Sequence, residues 1–250
     1  MEGVRLPRTV LAKVFIRSFF LQASWNFERM QSLGLLFVLY PALRLLYRGD
    51  ALTQACSRHL EYFNTHPFFA SPVIGTILAL EEQKGSGDEG AVSVQEFKRM
   101  VMAPYAAVGD ALFWGGIRPL AAGISLFFAA KGSMWAPLIF LAVFNVPHLW
   151  LRTAGLVRGY TLGLKVVETM QRRKLPDLAI RLKETTVVLL GGLSAYLIFL
   201  GLDAEGLPAG WGLLAIPMVV LFSRLTRRGV SSLLLVLALA LLLLLFAWLY

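Results

Sequence analysis

Between Pro104 and Ala130 the chain is predominantly apolar, yet the stretch from Gly109 to Pro119 carries Asp110 and Arg118. Gly109, Gly115, Gly116 and Pro119 in the same stretch all loosen a helix. A charge at the centre of a bilayer costs roughly 2.5–3.5 kcal/mol on insertion scales, so charges there mark a pathway or a subunit contact. Glycine and proline beside them free backbone groups, which is tolerated at that depth only inside protein or along a cavity. The expectation is a broken helix at membrane depth, not a simple anchor.

The composition agrees with a bilayer as solvent. The chain is 57% hydrophobic, against about 45–50% for soluble domains, and several long apolar runs make it polytopic. Its net charge of +9 does not point to nucleic acid, because the basic residues sit mostly in short segments between apolar runs, as the positive-inside rule requires. Met1 to Val14 lacks the early apolar core and cleavage site of a secretory signal, so the start of the chain is expected in the cytoplasm. Cys56 is the lone cysteine, which excludes an intramolecular disulfide and a cysteine-rich metal site.

Val10 to Phe20 is apolar but carries Lys13 and Arg17 four apart, the pattern of a helix lying in the interface. Gly34 to Tyr47, with Pro41 and Arg44, is too short and charged for a span. Pro67 to Leu80 is apolar but short and interrupted by Pro72 and Gly75, which reads as re-entrant. A polar loop from Glu81 to Gly90 follows. Five spans are expected, at 104–130, 134–157, 187–202, 207–222 and 229–250, with a basic cytoplasmic loop from Arg158 to Lys183. The fold class is therefore all-α and polytopic: an amphipathic N-terminal part (1–66), a re-entrant segment (67–80) and membrane spans (104–250), in one domain. The rival topology joins two half-spans into one crossing and places the N-terminus outside.

Three polar clusters border the apolar runs. In the first, Trp25 and Asn26 offer an aromatic plate beside an amide, suited to a sugar ring and its hydroxyls or to an interfacial belt and a helix cap. Glu28 and Arg29 are neighbours that cannot share a helical face, so each needs another partner. In the second, Asn64 or Thr65 would cap a helix starting near Pro67. His59 and His66 are spaced seven apart without supporting acids, which argues against a metal site. Glu81 and Glu82 would pair with Arg118 or Arg29, or edge a solvated loop. In the third, Asp110 and Arg118 either pair across two helical turns or face a pathway, with a break at Gly115-Gly116 between them. Asn145 and His148, three apart, would face this cluster or form a satisfied pair. No P-loop, nucleophile elbow, dinucleotide fingerprint or HExxH sequence is present.

The runs QASWNFERMQ (22–31), HLEYFNTHP (59–67), LALEEQ (78–83) and GDALFWGGIRP (109–119) closely resemble the IID subunit of the mannose/fructose/sorbose-type sugar phosphotransferase system. The four occur in the family's order, within about residues 10 to 160. Two departures stand out: Ala111 where the family usually has proline, and a shorter region after about residue 185.

The resemblance implies an integral inner-membrane subunit that forms a sugar channel with a IIC partner. It implies cytoplasmic IIA and IIB phosphocarriers that relay phosphate through their own histidines, with IIB phosphorylating a mannose-type hexose as it enters. On that reading this chain needs no cofactor and is not itself phosphorylated at His59 or His66. Trp25, Asn26, Glu28, Asn64, Asp110, Trp114 and Arg118 are the candidates to line the pathway or meet IIC. The alternative is a non-transporting scaffold that recruits IIB-like proteins through the basic segment 158–183.

Overall fold

The computed structural model describes residues 5–87 and 90–249. Asp88 and Glu89 of the expected polar loop, Met1 to Val4 and Tyr250 lie outside the described residues. The chain divides into two compact units, Met1–Leu190 and Gly191–Tyr250. Among the described residues five helical stretches are long and apolar enough to cross a membrane: Val94–Ala130, Ala136–Leu162, Lys165–Ala204, Ala209–Arg227 and Ser232–Leu249. They match the five expected spans, in an all-helical protein.

The first unit opens with helices α1 (Arg8–Ser18), α2 (Ser32–Leu46), α3 (Gly49–His59) and α4 (Ala70–Gly85). The stretch expected as an interfacial helix is helical as α1; its Lys13 is exposed, while Arg17 is half-buried and donates to the Phe37 carbonyl at 2.9 Å. α2 buries Leu35, Val38, Leu39, Ala42 and Leu43, a 3.6-residue stripe that outweighs the proline at 41. α3 is polar and short, so its sequence carries no span or interface signal.

α4 is the centre of this unit. Ala70 to Leu78 are all buried, as are Leu80 and Glu81, so almost no face of the helix is free. The run 67–80 is thus a turn at Pro67–Phe69 followed by a helix enclosed in protein. Enclosure is the condition that lets a helix too short to span persist beside a bilayer core. α4 also continues past the apolar run, so Glu81 to Lys84 are helical and the polar loop begins later than expected. The helix starts at Ala70 behind Phe69 with no side-chain cap, which corrects the expectation of an Asn64 or Thr65 cap.

α5 (Val94–Gly109) starts ten residues before the expected span, on a reciprocal capping box between Ser93 and Glu96. The chain then winds as a π-helix over Asp110–Ile117 and returns to α-helix as α6 (Arg118–Ala130). The expected break is therefore a widened but continuous helix. The Arg118 N–H reaches the Phe113 carbonyl five residues back, and Pro119, which has no N–H to offer, comes next.

α7 (Ala136–Leu162) packs along α4 through Gly155 and Gly159, opposite Gly75 and Pro72. A side chain at Gly159 would fall inside the contact distance of the Pro72 carbonyl oxygen, and one at Gly155 would lie 2.7 Å from the proline ring. This small-xxx-small pairing lets two backbones touch, as membrane helices do when lipid supplies no hydrophobic drive. α8 (Lys165–Arg172) and α9 (Leu175–Ala204) follow. Hence the expected basic loop 158–183 is helical except around Gly163–Leu164 and Arg173–Lys174, where Gly163 and Lys174 take positive φ.

The second unit holds the rest of α9, a 3-10 turn at Ala209–Leu214, α10 (Ala215–Arg227) and α11 (Ser232–Leu249). α10 and α11 bury no residue, and α11 is apolar all round, as a lipid-exposed span should be.

The glycine contact yields a prediction. Gly159→Val should lower the thermal unfolding temperature of the detergent-purified protein, by overpacking worth about 1–3 kcal/mol. Gly191→Ala, with nothing within 4 Å, should leave it unchanged or slightly higher. Equal behaviour of the two variants would remove close backbone contact from the account.

Candidate functional site

Two loops are stitched together beneath the N-terminal helices. Met30, at φ 55, bridges Asn26 on one side and Phe63 on the other. The Gln31 amide donates to the Thr65 carbonyl at 2.8 Å and accepts from the Thr65 N–H at 3.2 Å. The first and second polar clusters are thereby joined, the latter ending at His66 and Pro67. Within the first, Asn26 is occupied by the turn: its side-chain oxygen accepts from the Arg29 N–H at 2.8 Å. Trp25 is exposed and packs edge-on against Phe27. Glu28 and Arg29 pair with each other at 3.5 Å, contrary to expectation, because the segment is a turn and the helical-face argument does not apply. Both are exposed, so the pair is worth little.

His66 connects this layer to the π-helical segment. Its ring lies directly against the Gly109 backbone, where any side chain would overlap it. It stacks on Phe113, with ring centroids 5.4 Å apart, and lies 5.2 Å from Trp114. Phe68 sits between Phe113, Trp114, Phe144 and His148, and stacks on the His148 ring at 4.0 Å. His148 Nδ1 lies 3.2 Å from the Asn145 side-chain oxygen. Asn145 and His148 thus pair with each other and also reach the cluster. Arg152, 4% exposed, donates to the Ser18 carbonyl at 2.6 Å and to the Pro67 carbonyl at 3.4 Å, over the face of Phe19. Asn64 is half-buried beside these groups in sequence, its backbone N–H 3.4 Å from the Met102 sulfur.

On the outer side of this cluster Asp110, Trp114 and Arg118 follow at four-residue intervals and are all exposed. The Arg118 guanidinium lies over the Trp114 ring at 5.7 Å, and Trp114 stacks on Phe144. Among the described residues no ion pair joins Asp110 to Arg118. The structure therefore places Asp110, Trp114 and Arg118 together on one face, with His66, Phe68 and His148 behind. Trp25, Asn26 and Glu28 belong to the stitched turn.

Sequence reasoning did not assemble the second polar centre. Glu81, fully buried, accepts from Arg58 at 2.7 and 2.6 Å, from Tyr47 at 2.7 Å, and faces His59 Nε2 at 2.8 Å. Glu82 bonds Tyr160 and the Leu6 N–H. The expected partners Arg118 and Arg29 are thus incorrect, because the continuation of α4 carries both carboxylates into the packed unit. The buried Lys98 ammonium donates to the Arg58 carbonyl at 2.5 Å. Burial pushes the Glu81 carboxyl up, but the bonds from Arg58 and His59 outweigh it and hold its pKa at about 2. Burial pushes His59 down despite that contact, so it is neutral and contributes an N–H. His66 is pushed down to about 4 by burial and by the charge of Arg152. Burial, then the bond to Glu81, raises the Tyr47 phenol. Among the described residues no cluster of three metal-binding side chains occurs.

The family described as PTS system mannose/fructose/sorbose family IID component matches residues 5–205. The chain belongs to this IID family. Relatives include the mannose-specific EIID component of Escherichia coli K12, 44% identical over 66% of this chain and 60% of that protein. The fructose permease IID component of Bacillus subtilis is 37% identical over 70% of this chain and 64% of its own length. The matched part of the chain thus spans about 60% of the length of such IID proteins. A solved mannose transporter ManYZ in complex with microcin E492 contains a similar chain, with a TM-score of 0.61, 33% identity, and coverage of 95% of this chain and 94% of that one. A further membrane protein structure aligns at TM-score 0.73 with 32% identity over 95% of each chain. This IID chain is a multi-pass membrane protein.

The Glu81 centre sets an acid profile. The unfolded carboxyl titrates near 4.5 and the folded one near 2, so about 3 kcal/mol of stability is complete above pH 4.5 and lost towards pH 2. His59 and His66 are held neutral, whereas the unfolded chain protonates them near 6.5. Stability therefore also falls as pH drops below 6.5, and for His66 this ends near pH 4. Glu81→Gln should cost about 3–5 kcal/mol at neutral pH by leaving Arg58 uncompensated, and should abolish the step between pH 4.5 and 2. Unfolding of the purified protein as a function of pH reads both effects. A variant with unchanged stability and profile would refute the arrangement.

Proposed function

We propose that this chain is the IID subunit of a sugar-specific phosphotransferase permease. With a IIC subunit it forms the channel for a mannose-type hexose, which a IIB protein phosphorylates on entry, IIA feeding IIB. The observation that carries this reading is the exposed Asp110–Trp114–Arg118 face on a membrane-spanning stretch. A carboxylate and a guanidinium are costly against lipid, so that face meets a polar path or a partner subunit. Carboxylate and guanidinium groups suit hydroxyls, and the indole covers the C–H face of a sugar. The similarity to the chain in the solved mannose transporter supports the same assignment.

Asp110, Trp114 and Arg118 are the residues we assign to sugar or IIC. Asn64 stands two residues before His66, whose ring lies against Trp114, whereas Trp25, Asn26 and Glu28 act as an outer loop contact. His59 and His66 are 0% and 2% exposed, which supports a subunit that moves sugar without carrying the phosphoryl group. The inner membrane is the location, with the N-terminus in the cytoplasm and α4 returning to the side it enters from. The scaffold reading has less support, since its basic docking loop is folded into α7, α8 and α9.

Asp110→Asn, expressed with its IIC partner, should insert normally and lose about tenfold in sugar uptake. That is the scale of one hydrogen bond to a charged group, about 1.5 kcal/mol. Wild-type uptake in the variant would remove Asp110 from the mechanism.

A further inference from the structure

The π-helical segment has a third charged neighbour, supplied by α9. That helix lies against the segment and α6 at three glycines: Leu182 packs over Gly116, Leu189 over Gly123, and the Lys183 side chain over Gly115. A Cβ on Gly115 would stand 2.9 Å from Lys183 Cε and 3.4 Å from its Nζ, so the lysine stem fills the notch that the glycine leaves. In π winding each residue stacks on the one five back, and the Asp110 carbonyl oxygen is 3.6 Å from that same point. Lys183 is exposed, so its ammonium is open to whatever meets this face.

Two cations therefore stand close together on the face. Arg118 follows Gly115 by three residues, a spacing that sets side-chain roots about 5–6 Å apart, and its guanidinium lies over Trp114. Among the described residues neither Arg118 nor Lys183 has a carboxylate partner. Glu184, next on α9, is turned about 100° from Lys183 by the helical pitch. With Asp110 the balance is two positive groups to one negative, on two stretches long and apolar enough to span a membrane. Like charges side by side repel strongly where the dielectric is low, and a neutral sugar relieves none of that repulsion. A phosphate does, since its oxygens accept from a guanidinium and an ammonium at once.

We propose that Lys183 and Arg118 hold the phosphate of a phosphorylated hexose, whose ring lies against Trp114 with its hydroxyls at Asp110. The inference rests on the transport reading above and names the form of the cargo that this face takes, which is the product. On the topology proposed there, Asp110 opens a span from the cytoplasm and Lys183 closes the basic segment 158–183 on the same side, where the sugar is phosphorylated. Lys183 is thus a binding residue of the face, and Gly115 is a positioning residue that leaves room for it.

The test uses the full chain assembled with its IIC partner in phosphatidylcholine nanodiscs, which supply no anionic lipid. Equilibrium binding of mannose 6-phosphate, mannose and inorganic phosphate is measured for each variant. The wild type should bind mannose 6-phosphate more tightly than inorganic phosphate. Lys183→Gln should weaken mannose 6-phosphate about tenfold, the scale of one hydrogen bond to a charged group, and leave mannose binding unchanged. Lys183→Arg, which keeps the charge, should restore most of the affinity. Gly115→Ala, whose methyl group displaces the ammonium while the Asp110 carbonyl stays at ordinary contact distance, should repeat the Lys183→Gln pattern, and it serves alone should that variant fail to fold. No binding of mannose 6-phosphate, equal losses for mannose and mannose 6-phosphate, or inorganic phosphate bound as tightly would each overturn the inference. So would release of IIC by Lys183→Gln, the mark of an ion pair with that subunit, or displacement of mannose 6-phosphate by added phosphatidylglycerol, the mark of a headgroup contact. Mannose uptake retained beside any of these outcomes separates failure of this inference from failure of the transport reading.

Discussion

The fold depends on the contact of two backbones, α4 against α7. α4 is short, interrupted by proline and glycine, and would be unstable against lipid alone. Gly75 on one side and Gly155 and Gly159 on the other let the helices approach until main-chain atoms touch. Dispersion at that separation, not exclusion of water, holds membrane helices together. With α4 enclosed, α2 and α5 complete its cover, and the turn at Pro67–Phe69 is fixed where His66 and Phe68 can meet the π-helical segment.

The two polar centres sit at opposite ends of α4 and behave differently. At its C-terminal end Glu81 is saturated by Arg58, Tyr47 and His59, so its bonds specify how α2, α3 and α4 register. Beyond its N-terminal end Asp110 and Arg118 are exposed and unpaired with each other. The first is a sealed clamp, and the second is the exposed face that we assign to a partner or a solute. π-helical winding serves that face, because it adds backbone length within a span without opening a gap in its hydrogen bonds.

Much of this was legible in the sequence. The five candidate spans follow from hydropathy, and Asp110 and Arg118 stand out as charges within an apolar run. The GLVRG spacing at 155–159 and the SVQE box at 93–96 were available as packing and capping signals. The unread parts are long-range. Nothing local to Glu81 names Arg58 and His59 as partners, and nothing near Gln31 names Thr65. The widening at Asp110–Ile117 was misread as a break, since Gly115, Gly116 and Pro119 satisfy either outcome. In the sequence Asn26 fits sugar hydroxyls or a helix cap equally, and that it closes a turn onto the Arg29 N–H shows only in the structure.

The central claim is that the Asp110–Trp114–Arg118 face is wet in the assembled transporter. With Cys56→Ser as background, Asp110→Cys, Trp114→Cys and Arg118→Cys can each be treated with a membrane-impermeant maleimide in vesicles containing the IIC partner. The account predicts labelling at all three positions, slowed by the transported sugar, and none at the buried Leu112→Cys. Labelling only by lipid-soluble reagents, or labelling indifferent to sugar and to IIC, would contradict it.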